Sequence, residues 1–187
     1  MRIAIDIDST LHHHWPLVAA AARRRFGVEL PYEEQFPWAE RRLDDEQLRA
    51  CIEDSHADEA IAGARPYPQA VDTVNGWFDR GHFIAVTSHR AERSCAATAR
   101  WLEAIGLRHH DLYCGADKIG RCRQLAIGLL IDDSPPLLLR AVEAGMLAAA
   151  LRHPWNQEVC ASTPVVCAAD WEQLDRVLQA ILERNSS

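Results

Sequence analysis

Short apolar runs that each end in an acid or a hydroxyl set the limits on how this chain can fold. Residues 2–6 (RIAID), Phe83–Val86 and Leu129–Ile131 hardly alternate between apolar and polar residues. Strands covered on both faces read this way. Ala148–Leu151 has the same character, and a short strand is predicted near Leu112–Tyr113. Helical patterns lie between these runs. Cys95, Thr98, Ala99, Leu102 and Ile105 keep helical spacing and stop at Gly106, a C-cap residue. Ser134-Pro135 opens a helix that runs to Gly145, and Leu174, Val177, Leu178, Ile181 and Leu182 share one face of a terminal helix. From residue 68 onward, helix and strand in alternation predict an α/β fold with a parallel sheet covered by helices.

Residues 12–66 break that rhythm. They hold no convincing strand, but helices are predicted near Trp15–Phe26, Asp44–His56 and Ala57–Ala62, with Pro31 and Pro37 as punctuation. The expected organisation is a core domain built from residues 1–11 and 67–187, with a helical cap, 12–66, inserted after the first strand. That insertion hangs over the sheet edge at which Asp6 and Asp8 emerge.

At 187 residues the chain can bury one core carrying a modest insertion. A net charge of -7 argues against a surface dedicated to nucleic acid or an anionic membrane. The basic runs Arg23-Arg24-Arg25 and Arg41-Arg42 are read as solvated helix faces in preference to phosphate-recognition sites. Six cysteines (Cys51, Cys95, Cys114, Cys122, Cys160, Cys167) include no CxxC pair, so most are expected to be reduced and packed as small apolar residues. No apolar run approaches the roughly 20 residues that span a bilayer. The N-terminus has no signal-peptide pattern, and a cytoplasmic location is expected.

Four polar fragments carry the chemistry: Asp6-x-Asp8, Thr87-Ser88, Lys118 and Asp132-Asp133. Three of them follow buried strands, and the carboxyl edge of an open parallel sheet is where ligands bind. Each fragment alone has a structural explanation: a strand-end acid, loop hydroxyls, a surface lysine, or a cap for the helix that opens at Ser134. Together they suit a phosphoryl group and a magnesium ion, because two adjacent buried acids are costly without a cation. Asp6 is the candidate nucleophile and Asp8 the candidate acid/base. Asp6, Asp8 (through its backbone carbonyl), Asp132 and Asp133 are candidate Mg²⁺ ligands. Thr87, Ser88 and Lys118 are candidate phosphate-binding groups. His14, Trp15 and Arg90 are candidate substrate contacts; His89 could also reach substrate, and Trp38 could stack a base. His12, His13 and His14 cannot all point one way from one helix, so they are not read as a metal trio.

At these residues the chain resembles the haloacid dehalogenase superfamily, whose four motifs match as "DIDST", "TS", the lone lysine and "IDD". The resemblance implies a Rossmann-like three-layer fold, an aspartyl-phosphate formed at Asp6, and acid/base work at Asp8. A second aspartate at position 8 is what its phosphatase branches show. Within the superfamily the chain is similar to the 5'(3')-deoxyribonucleotidases and related bacterial nucleotidases, through "ARPYPQAV", "LRHPWNQ" and "DWEQL". It departs from them with Ser9-Thr10 where they carry Gly-Val, and with His14 where they carry an aromatic residue.

The resulting expectation is a magnesium-dependent phosphomonoesterase acting on a small phosphate ester such as a (deoxy)nucleoside monophosphate. Sugar phosphates and nucleic-acid 3' ends are alternative substrates. A phospho-accepting or binding module is a further alternative, but receiver modules place the double acid first and here it comes last. A homodimer is left open.

Overall fold

The computed structural model describes residues 1–35, 42–162 and 164–184. Pro37, Trp38 and Arg41 lie outside the described residues. Six strands, β1 (Arg2–Asp6), β2 (Phe83–Ser88), β3 (Asp111–Cys114), β4 (Leu129–Ile131), β5 (Leu147–Leu151) and β6 (Val165–Ala168), form one sheet in the order β3-β2-β1-β4-β5-β6. Every neighbouring pair is parallel. β6 was not foreseen: it is a short edge strand whose middle residues are only half-buried, so its pattern is weak.

Because side chains alternate across a strand, β1 feeds both faces. Ile3 and Ile5 enter a cluster with Val74, Trp77, Leu102, Leu174 and Leu178, under α4 (Ala70–Asp79), α5 (Cys95–Ala104) and α9 (Trp171–Arg184). Ala4 enters a second cluster with Ile119, Leu137, Leu138 and Val159, under α6 (Lys118–Gln124), α7 (Pro135–Glu143) and α8 (Gln157–Ser162). Helices thus cover both faces of the sheet. Gly106 ends α5's final turn at φ 72°, the left-handed geometry its position predicted.

Between β1 and α4 the chain forms α1 (Trp15–Phe26), α2 (Asp45–Ser55) and α3 (Asp58–Gly63). An Asp44–Gln47 capping box starts α2. Trp15, Val18, Ala21, Ala22, Leu30, Leu43 and Cys51 give this helical insert its own buried apolar cluster. Its two connecting segments run side by side, with a bridge between His12 and Pro66 and a Tyr67 N–H to Leu11 O hydrogen bond of 2.8 Å. The arginine run is a solvated face: exposed Arg23 pairs with Glu29, while Arg24 and Arg25 pair with Asp54. Cys160 and Cys167 are joined by a disulfide between α8 and β6, which packing brings to a Cα separation of 5.8 Å; the other four cysteines are free.

Trp171 ties α9 to the loop beyond β1. It is fully buried, packs on Trp77 with ring centroids 5.9 Å apart, and donates from Nε1 to Thr10 O at 2.9 Å. Trp171→Ala is expected to cost about 3–5 kcal/mol, read as a lowered urea midpoint; a shift below a third of that would show that the neighbouring residues refill the space.

Candidate active site

The strand order reverses at β1, so the loops beyond β1 and β4 diverge and leave a crevice at the carboxyl edge of the sheet. Asp6 ends β1 and Asp132 follows β4, placing both acids at that crevice. Lys118, the first residue of α6, comes to them from below. Its Nζ donates to Asp6 Oδ1 at 2.5 Å and to Asp132 Oδ2 at 2.6 Å, and all three side chains are almost fully buried. Asp117 caps the same helix by accepting from Gly120 N–H at 2.9 Å. A Cβ at position 120 would stand 2.0 Å from Asp117 Oδ2, so this approach requires glycine.

Carboxylate oxygens of Asp6, Asp132 and Asp133 all lie within 4.8 Å of one another. Three acids face one buried ammonium, which leaves the cluster short of positive charge. Burial raises Asp6 to about 7, Lys118 opposing and Asp132 and Asp8 adding to the rise. Burial, followed by Asp6 and Asp132, also lifts Asp133 well above the carboxylate range. Burial alone would drive Lys118 down, but Asp132 and Asp6 outweigh it and hold the ammonium above its ordinary range. Hard oxygen donors in excess of their cation fit a divalent ion such as Mg²⁺.

Asp8 stands apart from that trio. Arg90, fully buried, forks it with Nη2 to Oδ1 at 2.7 Å and Nε to Oδ2 at 3.1 Å. His12 Nε2–H donates to Oδ1 at 2.9 Å, and His56 Nε2 lies 3.2 Å from Oδ2. Burial would raise Asp8, but the Arg90 guanidinium, with His12 and His56, holds it well below the usual carboxylate range. His14 stacks on His56 at 5.2 Å. Because Ser55 Oγ gives its hydrogen to Ile52 O, His14 Nε2 must donate to Ser55 Oγ, at 2.8 Å. Burial presses His14 down to about 3, against the pull of Asp8, so the ring is neutral. Asp8, His14 and His56 form a second cluster of metal-ligand types. With Arg90 on the acid and the His14 nitrogen spent on Ser55, it is a cage that fixes Asp8.

Asp6, Asp8, Lys118, Asp132 and Asp133 line one side of a pocket of 410 Å³; Ser9, His14, His56 and His89 add polar groups, and Ile52, Pro135, Pro136 and Trp155 an apolar wall. Of the candidate substrate contacts, His14 lines this pocket. Trp15 and Arg90 do not: Trp15 is in the apolar cluster of the insert with Nε1 on Leu30 O, and Arg90 is committed to Asp8. Thr87 sits beside Asp6 in register, and its buried Oγ1 has no hydrogen-bond partner among the described residues. Ser88 Oγ accepts the Arg90 N–H at 3.1 Å, closing the turn after β2. His56 and Ile52 come from α2 and the turn after it, some fifty residues from Asp6, and no local motif announces them. Ser9 holds φ 62°, a conformation that favours glycine. Its carbonyl accepts from His153 Nε2 at 2.7 Å, so Nδ1 of that ring accepts from Tyr32 O–H, also at 2.7 Å.

Comparison with protein-family models and with curated protein sequences returns no match. Solved structures do match. A HAD family hydrolase from Deinococcus radiodurans R1, with bound phosphate and sodium, aligns with a TM-score of 0.65 at 16% identity over 97% of this chain and 96% of that one. CbbY from Rhodobacter sphaeroides, in complex with phosphate, aligns with a TM-score of 0.62 at 18% identity over 92% and 95%. A HAD-superfamily hydrolase from Ehrlichia chaffeensis gives 0.63 at 9% identity over 97% of both chains. The fold is HAD-like. Its six parallel strands match the three-layer Rossmann-type architecture expected from the sequence.

The buried charge on Asp6 leads to a stability prediction. Its folded-state value, about 7 against an ordinary 3.8, is raised, so between those values the folded protein binds more protons than the unfolded chain. Stability of the metal-free protein therefore falls as pH rises through that window, on the order of 4 kcal/mol. In EDTA, Asp6→Asn should melt above the unsubstituted protein at pH 8, with the gap closing at pH 5. Equal melting at both pH values would refute the burial cost.

Proposed function

We propose that this protein is a divalent-cation-dependent phosphomonoesterase in which Asp6 is the nucleophile. The observation that carries this reading is the convergence of Asp6, Lys118, Asp132 and Asp133 at the floor of a pocket on the strand-reversal edge. Asp6, Asp132, Asp133 and the backbone carbonyl of Asp8 would hold Mg²⁺, which when bound supplies charge neutralisation for the phosphoryl group.

Phosphate esters repel anionic nucleophiles, so charge must be offset and the attacking oxygen held in line. Lys118 holds one Asp6 oxygen at 2.5 Å, leaving the other to attack phosphorus. The phosphoryl group passes to Asp6 and the ester oxygen departs with a proton; water then attacks the aspartyl-phosphate and releases inorganic phosphate. The unmatched Thr87 hydroxyl next to Asp6 is a donor that a phosphoryl oxygen would satisfy. Asp8 is assigned the proton transfers. The cage of Arg90, His12 and His56 holds it ionised before substrate arrives, so it must first take up the proton of a monoanionic phosphate ester, which it then gives to the departing ester oxygen before accepting one from the attacking water.

The helical insert, residues 12–66, is assigned the role of a cap that shields this chemistry and carries specificity. Among the described residues, its contributions to the pocket are His14, Ile52 and His56. A (deoxy)nucleoside monophosphate is the proposed substrate class: 410 Å³ suits a small ester, and Ile52, Pro135, Pro136 and Trp155 offer an apolar wall to a planar ring. A sugar phosphate is the second reading, favoured by the alignment with CbbY, one structure of which holds xylulose-(1,5)-bisphosphate.

Phosphate release from nucleoside monophosphates and sugar phosphates should require Mg²⁺, stop in EDTA, and fall by at least about a thousandfold in Asp6→Asn. Release that persists in Asp6→Asn would remove Asp6 from the role of nucleophile. The preferred ester would decide between the two substrate readings.

A further inference from the structure

Trp155 stands where the helical insert, the pocket and the acids beyond β4 meet. The insert's buried apolar cluster runs from Trp15 to Cys51, and among the described residues Trp155 is the buried member contributed by the rest of the chain. Its ring lies 5.8 Å from Trp15 and, edge to face, 5.8 Å from Tyr32. On its other side it stacks nearly flat on His153 at 4.6 Å. Its Nε1 donates to Asp133 Oδ2 at 2.9 Å. Asn156, the next residue, is fully buried and donates to both Asp133 O at 3.2 Å and Leu151 O at 2.9 Å. One turn thus grips Asp133 by its backbone and by one carboxylate oxygen.

That grip has a directional consequence. A carboxylate with one oxygen on a fixed indole N–H presents the other in a set direction, here toward a cluster whose remaining oxygens come from Asp6 and Asp132. Removing a group that orients a metal-binding side chain typically costs about 10–100-fold in metal affinity. The indole keeps its place because Trp15 and Tyr32, both from the insert, pack against it. We infer that Trp155 is a positioning residue through which the seating of the helical insert sets the cation affinity of Asp133. By reciprocity, a bound cation must favour the seated insert to the same degree. The inference rests on the reading that these acids hold a divalent cation.

Mn²⁺ is a suitable probe, since its free form is counted directly by electron paramagnetic resonance. Unsubstituted protein should bind Mn²⁺, and Asp133→Asn should weaken that binding. Trp155→Phe, which keeps a ring but loses the N–H, should raise the Mn²⁺ dissociation constant about tenfold. Trp15→Phe, a change within the insert, should raise it about fivefold through packing alone. Hydrogen–deuterium exchange supplies the reverse reading: Mn²⁺ should slow exchange across α1 and α2 in the unsubstituted protein and have little effect there in Trp155→Phe.

Failure of the unsubstituted protein to bind Mn²⁺ would overturn both the cation reading and this inference. Normal binding with unchanged constants in Trp155→Phe and Trp15→Phe would overturn the inference alone. So would weakened binding in Trp155→Phe with none in Trp15→Phe, since the insert would then have no part in it. Should Trp155→Phe fail to fold, Trp15→Phe and the exchange measurement still decide the outcome.

Discussion

The site depends on one buried ammonium. Lys118 touches Asp6, at the end of β1, and Asp132, just beyond β4, and so binds the ends of two neighbouring strands across the strand reversal. Removing this ammonium would cost about 3–5 kcal/mol, because Asp6 and Asp132 would be left buried without a cation. The arrangement stays two positive charges short of its three acids, and the strain falls on Asp6 and Asp133, which are pushed toward their protonated forms. This is stability given up for function: a cluster that closed its own charge balance would have little use for a cation or a phosphoryl group.

Asp8 is treated in the opposite way. It is supplied with hydrogen bonds from the loop after β2 (Arg90) and from the first connecting segment of the insert (His12), and His56, just beyond α2, lies 3.2 Å from it. Asp6 and Asp8 are two residues apart, yet one is pushed up by burial among acids and the other held down by cations and imidazoles. Environments that drive two neighbouring carboxyls apart are a recurring mark of divided roles in catalysis. The turn at 153–156 then ties the insert to both loops, through Tyr32, His153 and Ser9 on one side and through Trp155 and Asp133 on the other.

Much of this was legible in the chain. Strands buried on both faces leave apolar runs too short for helices, so β1, β2, β4 and β5 could be read directly, along with the acids that end β1 and follow β4 and the hydroxyls that end β2. Residues 12–66 stand out as a lapse in that rhythm, and α1, α2 and α3 lie there. β6 was not, because an edge strand need not be wholly apolar. Nor was the Asp8 cage: Arg90 follows Thr87-Ser88 and suggested a substrate contact, but a buried guanidinium takes the nearest carboxylate, and His56 reaches that acid only through the packing of the insert. Trp15 reads equally well as a stacking residue or as core, and the packing around Val18 and Leu30 places it in core. The Cys160–Cys167 disulfide has no signature in spacing; it follows from the contact of α8 with β6.

If a phosphoryl group passes to Asp6, an acyl phosphate forms there and can be trapped. Enzyme turning over p-nitrophenyl phosphate with Mg²⁺ would be acid-quenched and reduced with borohydride, which converts an aspartyl-phosphate to homoserine, and then mapped by peptide mass spectrometry. The account predicts homoserine at position 6, appearing only when substrate and Mg²⁺ are both present. Conversion at position 8, 132 or 133, or phosphate release with no conversion at any aspartate, would contradict it.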